Sequence, residues 1–471
     1  MARGTFPDGG YAARRANPRG GGGCVTGGIA MIWDRDVETA SRDTLRRLQL
    51  ERLRATVERA YHRIPLFRRR MAERGLAPDD LRHLEDLARL PFMTKQDLRD
   101  HYPFGLFAEP LQRVVRIHAS SGTRGKPTVV GYTRHDLEVW AECVARCFCM
   151  AGGEPGHVLH NAYGYGLFTG GLGLHAGAER VGATVVPASG GHTARQILLI
   201  QDLRPDGIAC TPSYLLNLAD AMDEHGIDPR STSLRYGILG AEPWSESMRQ
   251  QLEARLGIDA VDIYGLSEVI GPGVANECRE AKDGLHINED HFLPEVVDPQ
   301  TGEPLPPGQY GELVFTSLTK EAFPVIRYRT GDIAALYPEP CRCGRTLVRM
   351  SRIKGRVDDM LVVRGVNVFP SEVEYQLLKI PELAPHYQLV VDRGRALDRI
   401  EVWVEPAPAV TGAWGGFDPG AEVARRLEAR VADVLGGALG LQVDVRLVAP
   451  GSIPRSEGKA VRVVDRRQVS P

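Results

Sequence analysis

Asp262-Ile-Tyr-Gly-Leu-Ser-Glu268 decides the fold of this chain, because it sets a short apolar strand directly before a turn that carries a carboxylate. Three further segments accompany it. They read Ser120-Ser-Gly-Thr-Arg-Gly-Lys-Pro-Thr128 upstream, Tyr328-Arg-Thr-Gly-Asp332 downstream, and Gly451-Ser-Ile-Pro-Arg-Ser-Glu-Gly-Lys-Ala460 near the C-terminus. Each of these motifs alone is a weak signal, whereas four of them in this order are not expected by chance.

The composition excludes several classes of protein. The chain has 471 residues, a formal net charge of −2 and eight cysteines. This balance offers no basic face for nucleic acid, and no stretch stays apolar for the ~20 residues that cross a bilayer. Nothing resembles a secretory signal, so we expect a cytoplasmic protein with reduced cysteines. Cysteines that lie close together there are more often metal ligands than disulfides.

The order of elements predicts two folded domains. Residues 1–30 are rich in Gly, Pro and Arg, and we expect them to be a disordered tail. Short β-branched runs then alternate with longer amphipathic runs, which is typical of an α/β domain with mixed sheets. A boundary falls near 355–358, so the large domain spans 31–357 and a small α+β domain spans 358–471.

Local patterns predict individual helices. Apolar residues from Leu45 to Tyr61 recur at helical spacing, and Pro65 ends the run. In the small domain, Ser371 and Glu374 have the spacing of a capping box. A second helix of that domain is predicted from the helical spacing of Val423, Leu427, Val431 and Leu435.

The segment from Ser120 to Lys126 has the composition of a phosphate-binding loop. Its hydroxyls, glycine-freed N–H groups and cation are what the β- and γ-oxygens of a triphosphate need. The spacing differs from that of a Walker A loop, and an ordinary surface turn is the alternative for this segment alone. The predicted phosphate contacts are Ser120, Ser121, Gly122, Thr123, Gly125 and Lys126.

Together the four motifs resemble the signature of the adenylate-forming superfamily, which contains acyl- and aryl-CoA ligases, carrier-loading adenylation domains and luciferases. The fuller stretch from Ile263 to Gly273 resembles the phenylacetate–CoA ligase family, and the likeness runs from about 31 to 467. The resemblance implies a large N-terminal domain, a small mobile C-terminal domain, and the use of ATP, Mg²⁺ and CoA. It also suggests a homodimer.

The resemblance implies a nucleotide pocket. Its residues are Gly240, Ala241, Glu242, Pro243, Asp262, Tyr264, Gly265, Asp332, Ile353 and Arg356. Asp332 and Arg356 would bind the ribose. Asp332 could instead be a turn-capping residue and Arg356 a surface ion pair. Arg124 stands where relatives usually have Thr, and its role stays open.

The resemblance also assigns the catalytic parts. Lys459 would stabilise charge on the α-phosphate, and Glu268 would hold Mg²⁺. The small domain would then rotate about Asp358, so that Gly365 lines a tunnel for the thiol. The alternatives are a solvated C-terminal lysine and a plain loop acid.

Four residues have the chemistry of a structural zinc site. Cys341 and Cys343 form a tight knuckle, and Cys278 and His286 lie in a segment that borders the same region in this family. Three thiolates and one imidazole suit a closed tetrahedral Zn²⁺ site. His291 is a competing ligand, and unbound reduced thiols are the alternative. A separate group is expected to be buried small hydrophobes: Cys143, Cys147 and Cys149.

A glycine-rich aromatic stretch resembles the aryl-acid wall of the family. Its candidate contacts are Tyr163, Phe168, Gly170 and Ala176, although an aromatic stripe can also be plain core. Ala176 stands where phenylacetate ligases usually carry Tyr. We therefore predict a wider pocket, which prefers a substituted benzoate or a bulkier aryl acid to phenylacetate.

The leading hypothesis is an AMP-forming ligase that joins an aromatic acid to CoA. The first alternative is a stand-alone enzyme that loads an aryl acid onto the phosphopantetheine of a separate carrier protein. The second is a nucleotide-binding regulator without catalysis, and intact Lys459, Glu268 and Asp332 argue against it. A luciferase-like activity has no positive support.

Overall fold

The computed structural model describes residues 31–120, 127–357, 361–363, 366–393, 398–455 and 461–466. Within them the helices α1 to α12 are, in chain order, Arg35–Glu38, Arg42–Arg63, Pro65–Glu73, Lys95–Asp100, Arg134–Met150, Gly170–Val181, Thr193–Leu203, Pro212–Glu224, Glu246–Leu256, Pro370–Leu377, Pro408–Ala413 and Glu422–Leu439. Short 3₁₀ helices lie at Pro78–Asp80, Leu84–Arg89, Leu111–Arg113 and Pro229–Ser231. None of the helices in these ranges combines the length and apolarity needed to cross a membrane.

The strands β1 to β21 follow the same numbering along the chain. They are Arg116–Ser120, Thr128–Tyr132, Val158–Asn161, Thr184–Val186, Gly207–Cys210, Tyr236–Gly240, Asp259–Leu266, Gly271–Glu277, Leu285–Ile287, Phe292–Val297, Gly311–Ser317, Tyr328–Ala334, Leu336–Tyr337, Arg349–Met350, Gly355–Arg356, Leu361–Val363, Val366–Val368, Leu383–Arg393, Asp398–Pro406, Asp444–Leu447 and Val463–Asp465.

A nine-stranded mixed sheet organises the large domain. Its order is β13-β14-β9-β8-β7-β6-β5-β3-β4, with β4, β3, β5, β6 and β7 parallel and the remaining neighbours antiparallel. The strands β5 and β6 are buried along their whole length, as expected for parallel strands covered on both faces. Because parallel strands end at one edge, the segments after β6 and β7 lie side by side there.

Two smaller sheets complete this domain. β10, β11, β12 and β15 form an antiparallel sheet, and β1 pairs with β2 as a hairpin. The register of the four-stranded sheet sets Asp332 opposite Arg356. Most of the predicted nucleotide residues therefore lie on or directly after strands of the nine-stranded sheet, and the four-stranded sheet adds Asp332 and Arg356.

The small domain has its own core. Its sheet has the order β20-β19-β18-β21, and the apolar face of α12 packs against it through Leu427, Val431 and Leu435. The predicted fold class, a large mixed α/β domain followed by a small α+β domain, is confirmed.

Of two local predictions in the small domain, one is wrong and one is confirmed. The helix α10 begins at Pro370, with Phe369 as its N-cap, so Ser371 is the second helical residue and not the predicted N-cap. Proline is favoured at the first helical position because its fixed φ fits the helix and its missing N–H leaves no bond unmade. The predicted second helix is confirmed as α12, in which Ala424, Leu427, Val431 and Leu435 are buried while Val423 is 46% exposed.

Candidate functional site

A pocket lies at the C-terminal ends of β6 and β7, against β12 and β15. The predicted nucleotide residues that line it are Ala241, Glu242, Pro243, Asp262, Tyr264, Gly265, Asp332, Ile353 and Arg356. The pocket is also lined by Trp244 and Arg352, which the sequence reasoning missed, and the Arg352 guanidinium lies 4.5 Å from the centroid of the Trp244 ring. The signal for Trp244 was available, because an aromatic residue directly follows Pro243.

Asp332 joins the two sheets at one end of this pocket. Its Oδ2 accepts a hydrogen bond from the Tyr264 hydroxyl at 2.6 Å, and its Oδ1 accepts one from Arg356 Nη1 at 2.6 Å. Arg356 also donates to the Thr330 carbonyl oxygen at 3.3 Å. These bonds fix the orientation of the Asp332 carboxylate, which lines the pocket.

The last residue of β6 and the residue after it are in positions that few residue types tolerate. A Cβ on Gly240 would lie 2.2 Å from the Ile263 carbonyl oxygen, so β6 and β7 can approach each other only with glycine there. Ala241 has a φ of 70°, in the left-handed region that non-glycine residues rarely adopt. Glu242 is held in turn, because its Oε1 accepts the N–H of Ser213 at 2.8 Å.

A buried acid lies beside this segment. The Asp262 N–H donates to Glu277 Oε2 at 2.8 Å, and Glu277 forms a buried ion pair with Arg249 at 2.7 Å. Burial raises the pKa of Asp262 well above its ordinary value, and the Glu277 carboxylate raises it further. In its neutral form Asp262 can donate a hydrogen bond, which suits a purine nitrogen.

The predicted phosphate-binding residues enter the described structure only at its edge. Ser120 is the last residue of β1 and pairs with Thr128, and its buried Oγ has no hydrogen-bond partner among the described residues. The other predictions in this loop lie outside the described residues: Ser121, Gly122, Thr123, Gly125 and Lys126. The same holds for Asp358, Gly365 and Lys459.

Glu268 lies in the tight turn that connects β7 and β8, and its side chain is buried. The strands on either side of this turn approach closely and need a glycine, because a Cβ on Gly265 at the end of β7 would lie 1.9 Å from the Gly271 carbonyl oxygen at the start of β8. The turn follows the strand that carries Tyr264, so Glu268 is three residues from the pocket lining at Gly265.

The predicted aryl-acid wall is partly assembled. A Cβ on Gly170 would lie 2.5 Å from a Phe168 ring carbon and 3.3 Å from the Tyr163 Cβ, so these three residues are neighbours. Tyr163 is buried, and its hydroxyl has no hydrogen-bond partner in the described part of the chain. Burial raises its pKa well above the usual value. Ala176 is partly buried further along α6.

Cys278, His286, Cys341 and Cys343 come together in a second, fully buried cluster, in which all four candidate ligand atoms lie within 4.8 Å of one another. The Sγ atoms of Cys278 and Cys341 are 3.8 Å apart, and Cys343 Sγ is 3.6 Å from His286 Nε2. Tetrahedral Zn²⁺ with bonds of ~2.3 Å to sulfur and ~2.0 Å to nitrogen requires separations of about 3.8 and 3.5 Å. The donor set and its spacing therefore fit zinc.

His291 does not belong to this cluster. Its Nδ1 lies 2.8 Å from Thr319 Oγ1, and its Nε2 lies 3.1 Å from Asp290 Oδ2. The cysteines on α5 are separate as well. Cys143, Cys147 and Cys149 are buried, as predicted, and burial raises the pKa of Cys147 and that of Cys149 to about 12.

The knuckle around Cys341 and Cys343 also fastens the start of the described chain. Arg345 is completely buried, and its Nε donates to Glu38 Oε2 at 2.5 Å while its Nη2 donates to the Met31 carbonyl oxygen at 2.8 Å. A metal ion in the cluster would therefore stabilise the packing of residues 31–40 as well as the knuckle.

The small domain contacts α8 of the large domain. His386 Nε2 lies 3.4 Å from Asp220 Oδ2, and Leu378 packs against the core formed by α7, α8 and α9.

A solved structure of 2-hydroxyisobutyryl-CoA ligase in the postadenylation state, with 2-HIB-AMP, matches 93% of both chains at 30% identity and a TM-score of 0.87. The same ligase in its thioesterification state, with CoA, gives 0.68 over the same coverage. The domain arrangement of this chain is thus more similar to the postadenylation state.

Family models and curated relatives agree with this likeness. A model of the AMP-binding enzyme matches residues 108–319, and a model of the AMP-binding enzyme C-terminal domain matches residues 365–467. Phenylacetate-coenzyme A ligase of Thermus thermophilus is 56% identical over 93% of this chain and 100% of its own length. The Aromatoleum evansii enzyme of the same name is 55% identical over 92% of this chain and 96% of its own length. This chain belongs to the phenylacetate–CoA ligase family of adenylate-forming enzymes.

Proposed function

We propose that this protein is an ATP-dependent, AMP-forming aryl-CoA ligase, which converts an aromatic carboxylic acid, ATP and CoA into aryl-CoA, AMP and pyrophosphate. The observation that carries the proposal is the position of Asp332, held by Tyr264 and Arg356 at the end of a pocket that Glu242 and Asp262 also line. That arrangement suits a nucleoside, with ring contacts at one end and a fixed carboxylate for the ribose hydroxyls at the other.

In the first half-reaction, a carboxylate oxygen of the acid attacks the α-phosphorus of ATP. A bond forms between that oxygen and phosphorus, and the bond to the bridging oxygen breaks, so that pyrophosphate leaves with the electron pair. Lys459 would stabilise the charge that gathers on the phosphoryl oxygens. Glu268 would hold Mg²⁺, a cation that prefers one or two carboxylates together with phosphate oxygens and offsets their charge.

In the second half-reaction, the thiol sulfur of CoA attacks the acyl carbon of the aryl-AMP. The carbon–oxygen bond breaks, AMP leaves, and the thiol proton is released to solvent. We place the hinge for the change between half-reactions at Asp358 and the thiol passage beside Gly365. The likeness to the postadenylation state of a related ligase supports a domain position suited to the first half-reaction.

We propose a structural Zn²⁺ held by Cys278, His286, Cys341 and Cys343. The support is the agreement between the observed separations of 3.8 and 3.6 Å and those of a tetrahedral site. A fully ligated zinc has no open position for substrate, so its contribution is to stability rather than to chemistry.

The names of the relatives favour CoA as the acceptor over a carrier protein. The aromatic neighbours Tyr163 and Phe168 support an aryl acid as substrate. A homodimer and a cytoplasmic location stay predictions.

The experiment that tests this function is acid-dependent pyrophosphate release across a panel of aryl acids, with and without CoA. We expect release to require an aryl acid and ATP, and CoA to increase turnover. Release that no acid stimulates would contradict the proposal.

A further inference from the structure

Lys320 is a buried lysine without a role in the reaction described above. It lies in the loop after β11, is 1% exposed, and has its Nζ 4.8 Å from the centroid of the Tyr132 ring. Its ammonium is thus removed from bulk water, which is costly for a charged group. A cation that is expensive to bury and lies beside a candidate active site is itself a candidate for a functional role.

The charge of Lys320 faces the turn that carries Glu268. Its Nζ donates a hydrogen bond to the main-chain oxygen of Glu268 at 3.4 Å. The carboxylates of Asp136 and Glu268 oppose the effect of burial on the lysine pKa and so favour its charged form. Asp136 also fixes the loop, because it accepts the N–H of Glu321 at 2.6 Å and that of Ala322 at 3.0 Å.

Other side chains hold the rest of the same turn. They come from β2, α5 and the residue before α6, and each bonds to a different residue around Glu268. These bonds run from the Tyr132 hydroxyl to the Ile270 oxygen (2.9 Å), from Trp140 Nε1 to the Pro272 oxygen (2.8 Å), and between Thr169 Oγ1 and Ser267 Oγ (3.1 Å). The hydrogen bond from Lys320 described above is the fourth such contact, and it is made to Glu268 itself.

We propose that Lys320 is a positioning residue for adenylation, which holds the Glu268 turn so that the Glu268 carboxylate can bind Mg²⁺ beside the ATP phosphates. The proposal rests on the role proposed above for Glu268. Lys320 acts through the peptide of Glu268, as residues behind a metal ligand orient that ligand in other sites.

Lys320→Met tests this role because it keeps the apolar stem and removes the ammonium. We expect the apparent KM for Mg²⁺ in acid-dependent pyrophosphate release to rise by ~10- to 100-fold, the usual range for residues that orient a metal ligand. Thioester formation from supplied aryl-AMP and CoA should stay close to the wild-type rate, because this step does not use the metal. Any fall in Tm should leave the variant folded at the assay temperature, where the rate of the second half-reaction reports whether the enzyme is intact.

The matched control is Lys282→Met. Lys282 is a partly buried lysine that is ion-paired, with Nζ 2.6 Å from Glu253 and 2.7 Å from Asp259, and it lies outside the nucleotide pocket. This variant should leave the KM for Mg²⁺ unchanged. Lys320→Gln provides a second test that does not depend on the folding of the Met variant. The glutamine keeps a hydrogen-bond donor but not the charge. Its KM for Mg²⁺ should lie between that of the wild type and that of Lys320→Met. If the Lys320→Met variant does not fold, the KM of Lys320→Gln should still exceed that of the wild type.

A folded Lys320→Met with the wild-type KM for Mg²⁺ would overturn the proposal. Equal losses in both half-reactions together with a lower Tm would overturn it too, because they indicate a packing role. Adding Lys320→Met to Glu268→Gln should cause no further rise in that KM, since both act through one carboxylate. Failure of the wild-type enzyme to release pyrophosphate with any aryl acid would instead refute the proposed function, and it would be seen before any variant is compared.

Discussion

Arg356 Nη1 lies 2.6 Å from Asp332 Oδ1, and the two residues are direct cross-strand partners on β15 and β12. The pairing holds the carboxylate from one side while the Tyr264 hydroxyl holds it from the other. Arg356 is two residues from the proposed hinge at Asp358, so the proposed ribose site lies next in sequence to the predicted start of the small domain. Nucleotide binding is therefore expected to affect the position of that domain.

Asp332→Asn should raise the KM for ATP. The substitution removes the charge that the ribose hydroxyls and Arg356 bond, and hydrogen bonds to a charged group contribute about 1.5–3 kcal/mol, or ~10- to 100-fold in affinity. The measurement is pyrophosphate release as a function of ATP concentration. Asp298→Asn is the control, because Asp298 accepts the N–H of Gln300 in an exposed turn. A wild-type KM for ATP in a folded Asp332→Asn enzyme would contradict the assignment.

Lys459→Ala should separate the two half-reactions. If Lys459 stabilises charge at the α-phosphate, adenylation should slow by at least ~10²-fold, the usual loss for one transition-state donor. Thioester formation from supplied aryl-AMP should survive, because the lysine is then outside the site. Rapid mixing with each substrate pair would measure both rates. Equal losses in both would speak against the domain-rotation assignment.

Purified protein should contain about one zinc per chain, measured by elemental analysis. The double variant Cys341→Ser/Cys343→Ser should lack it and unfold at a lower temperature. Structural zinc contributes on the order of 10 kcal/mol in small domains. The effect here should be smaller, because the surrounding core is large.

The control for the zinc site is Cys147→Ser/Cys149→Ser, which changes two buried cysteines that lie outside the cluster. This variant should keep its zinc whatever its stability. Wild-type protein without zinc after careful purification would refute the site, and loss of zinc from both double variants would indicate unfolding rather than lost ligands.

Ala176→Tyr should move substrate preference toward phenylacetate. The added ring occupies space on α6 that a substituted benzoate or bulkier aryl acid would use in the wild-type enzyme. A single methylene changes kcat/KM by only ~10- to 200-fold, so a whole ring can reorder a series of acids. Values of kcat/KM across the aryl-acid panel provide the test. If phenylacetate already ranks first in the wild type, or the order does not change, Ala176 is a packing residue.

Much of the architecture could be predicted from local patterns. Helix α2 follows the spacing from Leu45 to Tyr61, and the buried strands β5 and β6 follow short β-branched runs between turns. These features depend on residues that are close in sequence, so the periodicity of apolar residues predicts them. The capping box at Ser371 was wrong for a related reason, since the pattern fitted two starts and the proline decided between them.

Features that depend on distant parts of the chain were harder to predict. The register that sets Asp332 opposite Arg356 and the contact between Trp244 and Arg352 both join residues that are far apart in sequence. The burial of Lys320 was missed because lysines are rarely buried and no local pattern marks one that is. The Cys/His cluster could be predicted from the sequence because few residue types bind zinc.

Product analysis tests the central claim most directly. The enzyme is incubated with ATP, Mg²⁺, CoA and the best acid of the panel, and the nucleotide and acyl products are quantified by chromatography and mass spectrometry. We expect aryl-CoA and AMP in equal amounts, with aryl-AMP accumulating when CoA is left out. Formation of ADP and phosphate, or acid-independent AMP without aryl-CoA, would contradict it.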